Sequence, residues 1–146
     1  MIKIRLVIIF ILMFSLSSCQ FDSWEKGLPN DYRISWVDLP SNRNISHETR
    51  GNRILSHVFE VGYNNDYIIA KQHPQIGSIL VQQTTDKTVT NFFILRMEKN
   101  GIFKNVKERI YGPLTEREFK LKQKELEISD IEFSIKYVVD EGIRMD

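Results

Sequence analysis

The sequence predicts an α+β fold, an antiparallel sheet of about five strands with one C-terminal helix packed on it and then a final strand. Three observations carry that expectation. Several short runs alternate apolar and polar residues with period two, as in "DYRISWVDLP" and "DIEFSIKYVVDEG". The turn signal "GYNND" separates two β-prone runs. Thr115 followed three positions later by Glu118 forms a capping box that starts a helix late in the chain.

The first segment reads in three parts. Met1 to Arg5 holds Lys3 and Arg5, "LVIIFILMFSL" (Leu6 to Leu16) is an apolar run of signal-peptide length, and "SSCQ" is polar. The run is too short to span a bilayer core, which needs roughly 20 apolar residues. Leu16, Ser17, Ser18 and Cys19 then resemble the lipobox of bacterial lipoproteins. The resemblance implies cleavage between Ser18 and Cys19 by a signal peptidase, and a diacylglyceryl group on the Cys19 sulfur. It places the protein in the bacterial cell envelope, lipid-anchored to a membrane with the domain outside the cytoplasm. Cys19 is the sole cysteine. It cannot form an intramolecular disulfide, and as a lipid attachment point its position is accounted for. Residues 1–18 are therefore read as a lipoprotein signal peptide, 19–31 as a lipid-anchored tether, and 32–146 as a single α+β domain.

The tether "CQFDSWEKGLPND" contains Gly27 and Pro29. Its aromatic residues Phe21 and Trp24 either rest on the lipid interface, which favours an indole, or tuck into the domain. In "DYRISWVDLP", Tyr32, Ile34 and Trp36 alternate with Arg33 and Ser35 as a half-buried strand, closed by Pro40. A polar loop follows, with a short strand near Ile45. "RILSHVFEVGYNNDYIIAKQHP" predicts a hairpin, with Leu55, His57, Phe59 and Val61 on one face and Tyr67 to Gln72 as the returning strand. "QIGSILVQQTTDK" is loop or strand, and "TVTNFFILRMEKNG" is a strand ended by Asn100 and Gly101. The helix is expected from Glu116 to Leu126, with Leu114 and Phe119 at the hydrophobic-staple positions and Phe119 and Leu126 on one narrow apolar stripe. A final strand alternates Ile131, Phe133, Ile135 and Tyr137 with polar residues. The charge-rich stretch "KERIYGPLTEREFKLKQKELE" mixes both signs and reads as a solvated surface.

The chain carries 20 Lys+Arg against 19 Asp+Glu. With Lys3 and Arg5 assigned to the leader, the remainder is close to neutral, which gives no electrostatic basis for binding nucleic acid. His47, His57 and His73 have no metal-site spacing, so no metal or other cofactor is expected. Asn64, Asn65 and Asp66 read as a turn rather than a calcium loop. No Gly-x-Ser-x-Gly elbow and no glycine-rich phosphate loop is present. The expectation is a noncatalytic protein with no assigned catalytic residue. Tyr32, Trp36, Tyr63 and Tyr67 form a candidate binding surface, since aromatic side chains stack on sugars and anchor protein partners; the competing reading places them in the core.

The runs "DYRISWVDLPSNRNIS", "HVFEVGYNNDYIIAKQHP" and "YGPLTEREF" resemble a family of small uncharacterised bacterial lipoproteins, a domain of unknown function. That resemblance transfers no activity, cofactor or functional residue. The sequence thus points to a membrane-anchored envelope lipoprotein that binds another envelope macromolecule, either protein or glycan. The alternatives are a periplasmic inhibitor or immunity protein, and a cell-wall glycan-binding module.

Overall fold

The computed structural model describes residues 22–77, 84–100 and 105–137. In chain order the elements begin with β1 (Ser23–Gly27), β2 (Tyr32–Val37), a single 3-10 turn (Pro40–Asn42), β3 (Asn44–His47), β4 (Gly51–Ile54), β5 (Val58–Tyr63), β6 (Tyr67–Gln72) and β7 (Gln75–Ile76). They continue through β8 (Thr84–Thr85), β9 (Asn91–Arg96), β10 (Lys99–Asn100), β11 (Asn105–Val106), β12 (Arg109–Leu114), helix α1 (Glu116–Glu125) and β13 (Ile135–Lys136). The expected sheet is the five-stranded one, ordered β12-β9-β6-β5-β13, antiparallel throughout and followed by the helix and a closing strand at its edge. A second, four-stranded antiparallel sheet, β1-β2-β3-β4, lies against it.

The molecule is three layers deep, because the central strands of the five-stranded sheet are apolar on both faces. On β6, Ile68 and Ala70 enter the layer between the sheets, where Tyr32, Ile34, Ile45, Ile54, Val58, Val61, Leu95 and Met97 also lie. The intervening Ile69 faces the other way, and Phe92 and Ile94 of β9 join it against Phe119, Ile128 and Ile131. This explains why "YIIA" and "FFIL" read as near-continuous apolar runs: a strand covered on both faces has no polar side to alternate with.

Several local expectations hold in detail. The Asn64 side-chain oxygen accepts from the backbone N–H of Asp66 and of Tyr67, each at 2.8 Å, which closes the β5–β6 turn. At the start of α1 the Thr115 hydroxyl accepts from the Glu118 N–H at 3.3 Å, and the Glu118 carboxylate accepts from the Thr115 N–H at 2.8 Å. Those donors, the backbone N–H first and the Thr115 hydroxyl second, hold the Glu118 carboxyl below its ordinary pKa. Phe119 is buried and Leu121 is exposed, as the narrow stripe requires. Thr115→Ala is expected to lower stability by about 1 kcal/mol, the usual cost of losing an N-cap hydroxyl, with Thr115→Ser retaining most of it. Urea denaturation of the two variants measures this.

Four expectations need correction. The segment read as a tether holds β1, paired along its whole length with β2 from Ser23↔Val37 to Gly27↔Arg33. All its residues are exposed, so no apolar alternation marked it as an edge strand. The expected face of Leu55, His57, Phe59 and Val61 does not form: Leu55 is exposed, while Val58 and Val61 are buried. A register shift between Val58 and Glu60 inserts Phe59 as an extra residue, and such a bulge breaks period two. The stretch read as solvated surface is indeed largely exposed, Arg109 and Ile110 included, but its first part is an unexpected strand, β12, at the edge of the sheet beside β9. Among the described residues the final strand pairs with β5 through Ile135 and Lys136, and the Tyr137 N–H adds a bond to the Phe59 carbonyl at 2.9 Å. Its alternation persists but serves two layers, with Ile131 and Phe133 on the helix side and Ile135 and Tyr137 between the sheets.

The antiparallel register gives the sandwich two ends. The proximal end, where β1 begins, collects Ser23, Val37, Asn44, Ile54, Val58, Gln72 and Asn91. The distal end collects Gly27, Tyr32, His47, Gly51, Tyr63, Tyr67 and Arg96.

Candidate functional site

Among the described residues a connected set of polar side chains lies at the distal end, around Tyr32. Asn30 and Asp31 both adopt positive φ (56° and 62°), which turns the chain sharply from β1 into β2 and delivers Tyr32 to the inter-sheet layer. Its ring is 1% exposed, and the His47 imidazole meets it edge-on at 4.7 Å. The phenol donates to Glu108 Oε2 at 2.6 Å and accepts from the Glu98 N–H at 3.2 Å. Arg53 of β4 donates to Glu108 Oε1 at 3.2 Å, and Arg50 pairs with Glu98. One phenol, two carboxylates and two guanidinium groups thereby tie the first sheet to the β9–β12 side of the second.

Burial, and then the hydrogen bond to Glu108, push the Tyr32 hydroxyl far above its ordinary pKa. The phenol is therefore a fixed proton donor. Each carboxylate has an arginine beside it, so the charges of the cluster are satisfied within it. Chemically the arrangement is a brace, whose groups are committed to one another. No local pattern hints at it, because its members are spread from Tyr32 to Glu108 and belong to both sheets.

Of the four aromatic candidates, the structure brings none of the others to Tyr32 as a platform. Tyr67 packs on the helix-side core, on the opposite face of the second sheet. Tyr63 is exposed at the distal end of β5. Trp36 is half-buried near the proximal end, directly opposite Trp24 across β1 and β2. Cys19 and Ser18 lie outside the described residues.

Two further groups appear at the proximal end. Arg43 is 7% exposed, with its guanidinium 3.6 Å from the centre of the Tyr137 ring and Nη1 donating to the Val58 carbonyl at 3.2 Å. Burial lowers the Arg43 pKa and raises that of Tyr137. His57 has φ 68° and accepts at Nε2 from the Gln75 amide at 2.9 Å, which requires an unprotonated ring nitrogen. Burial, assisted by nearby His73, lowers its pKa in the same direction. Spacing concealed this proximity of His57 and His73, while His47 lies at the other end. Among the described residues no three His, Cys, Asp or Glu side chains are grouped to hold a metal ion, and no helix is long and apolar enough to cross a membrane.

The main concavity described on the first sheet is an open groove of about 420 Å³ on its outer face. Ser23, Glu25, Arg33, Ser35, Ser46 and Asn52 line it, and Arg33 pairs with Glu25 at 3.1 Å. Its lining is mixed, with Trp24, Trp36 and Val37 beside those polar groups, and it is open, the shape of a surface on which another macromolecule lies rather than of a pocket enclosing a small substrate.

A family model described as "Protein of unknown function (DUF3997)" matches residues 29–139. No curated protein and no solved structure matches the chain.

Proposed function

The chain belongs to this family of proteins of unknown function (DUF3997), and from that premise we propose that it is a lipid-anchored, noncatalytic lipoprotein of the bacterial cell envelope that binds another envelope macromolecule. The observation that carries the reading is Leu16-Ser17-Ser18-Cys19, set directly after a basic start and an apolar run. Diacylation at Cys19 anchors stably because each buried CH₂ contributes roughly 0.8 kcal/mol and two chains suffice where one does not. The noncatalytic part is supported by the distal brace, in which the Tyr32 phenol, the Glu98 and Glu108 carboxylates and the Arg50 and Arg53 guanidinium groups pair with one another. The outer face of the first sheet supplies the surface for the partner, with Arg33, Glu25 and Ser35 at its centre.

The test is fractionation of cells expressing the wild type or Cys19→Ala, followed by in-cell crosslinking and mass spectrometry. Wild type is expected in the membrane fraction with a lipid mass on the Cys19 peptide, and Cys19→Ala should leave that fraction. A crosslinked partner recovered with wild type and lost with Ser35→Trp, which fills the groove, supports the binding role. A Cys19 peptide without lipid would end the anchoring reading, and turnover of a substrate by the purified protein would end the noncatalytic one.

A further inference from the structure

We propose that the proximal end of the sandwich is a membrane-resting face, on which Val37, Leu39 and Leu55, flanked by Trp24, sit in the interfacial region of the bilayer. The inference deepens the anchored reading above and rests on it for the position of the lipid.

Exposure and register carry it. Val37 is 53% exposed, Leu39 55% and Leu55 64%, values at which an apolar side chain gains little from the fold. Val37 ends β2 opposite Ser23, and Leu39 follows it by two residues. Leu55 follows the last residue of β4, and the backbone bond from the His57 N–H to the Ser41 carbonyl, 3.1 Å, joins the Leu39 and Leu55 loops at this one end. Ile76 and Val89 are exposed here too, next to His57 and His73, whereas among the described residues only Tyr63, Ile110 and Leu121 are large exposed apolar side chains elsewhere. An apolar collection concentrated at one end marks a docking surface rather than scatter.

Chain length identifies the occupant. Ser23 is paired to Val37 and so fixed at the proximal end, and it lies four residues after Cys19. Four residues reach at most about 14 Å even when fully extended. A lipid on Cys19 therefore holds this end, and no other, against the bilayer. Trp24 is 39% exposed with its edge against Tyr137, a half-covered indole of the kind favoured at headgroup depth. The described charges near this edge are mixed, Asp22, Asp38 and Asp86 with the exposed Lys87, so no excess of positive charge draws it to anionic headgroups and the contact is apolar. Resting on this end directs the Tyr32–Glu108 brace away from the membrane and leaves the outer groove of the first sheet accessible from the side.

The experiment uses the full-length chain produced in a bacterial host and reconstituted into phosphatidylethanolamine and phosphatidylglycerol vesicles doped with phosphatidylcholine brominated on its acyl chains. Both tryptophans, Trp24 and Trp36, lie toward the proximal end, so the native chain is its own probe. Their fluorescence is expected to be strongly quenched relative to unbrominated vesicles, in low and high salt alike. The variant carrying Val37→Asp, Leu39→Asp and Leu55→Asp, checked for native circular dichroism, is expected to float with the vesicles while losing most of that quenching. Absence of quenching in the wild type, or equal quenching in the variant, overturns the proposal. A dimer that the same substitutions convert to monomer, with quenching unchanged, assigns the face to a second copy and also overturns it. The mass of the Cys19 peptide is read separately. A free thiol there ends the anchoring reading, while the quenching comparison still decides whether this face meets lipid.

Discussion

Replacing Gly62 with alanine should destabilise the protein by about 3 kcal/mol, the upper end of what overpacking a filled interior costs. Gly62 is the next-to-last residue of β5, paired with Ile69 of β6, and its backbone is ordinary extended strand. Conformational freedom is therefore not the reason for glycine here; close approach is. A Cβ at this position would fall inside the van der Waals radius of the Glu132 carbonyl oxygen, 2.8 Å from the carbonyl carbon and 3.1 Å from Ile69 Cγ1. A flexible side chain could swing aside, but a backbone carbonyl cannot. The segment from Ile131 to Phe133 has to lift from the sheet, and with it the apolar side chains that close the helix-side core. Urea denaturation of Gly62→Ala decides the point. An unchanged midpoint would mean that the return segment is not pressed on β5 as described.

What the sequence disclosed and what it hid follow from the same physics. Features written in neighbouring residues were legible: the Thr115–Glu118 capping box, the Asn64 turn, and the alternation of Tyr32 and Ile34 all rest on local geometry. Features set by distant partners were not. Strand β1 has no buried side chain and is a strand only because β2 lies beside it. The bulge at Phe59 changes which residues face inward without leaving any compositional mark. Ile131, Phe133, Ile135 and Tyr137 keep one period and yet fill two different cores, a division that no periodicity records. The distal brace was invisible for the same reason. Tyr32 is an unremarkable aromatic residue of a half-buried strand until Glu108, which the sequence placed on a solvated surface, is brought within 2.6 Å of its hydroxyl.

That brace yields the second large effect. Glu108→Ala should cost about 2 kcal/mol, because removing one member of a part-buried charged pair leaves the other uncompensated. It leaves Arg53 without its carboxylate and the buried Tyr32 hydroxyl without its acceptor. Tyr32→Phe is gentler, about 1.5 kcal/mol, since it removes one charge-assisted hydrogen bond and leaves the Glu98 N–H without an acceptor. The two differ in pH dependence. The Tyr32 hydroxyl has its pKa raised in the folded protein, by burial first and by Glu108 second, with Arg50 acting weakly in the opposite sense. A raised folded-state pKa contributes stability that is complete below the unfolded tyrosine value of about 10 and is lost as pH rises above it. The wild type should therefore lose stability above that pH by up to about 1.4 kcal/mol per unit for this group alone, while Tyr32→Phe should not. Tyr137, also raised by burial, contributes equally in both proteins, so the difference between their alkaline limbs isolates Tyr32. Urea midpoints taken on either side of about pH 10 measure it. Converging stabilities place the proton on a phenol that joins the two sheets; parallel limbs would mean that Tyr32 ionises as freely in the fold as outside it, and the brace would lose its central member.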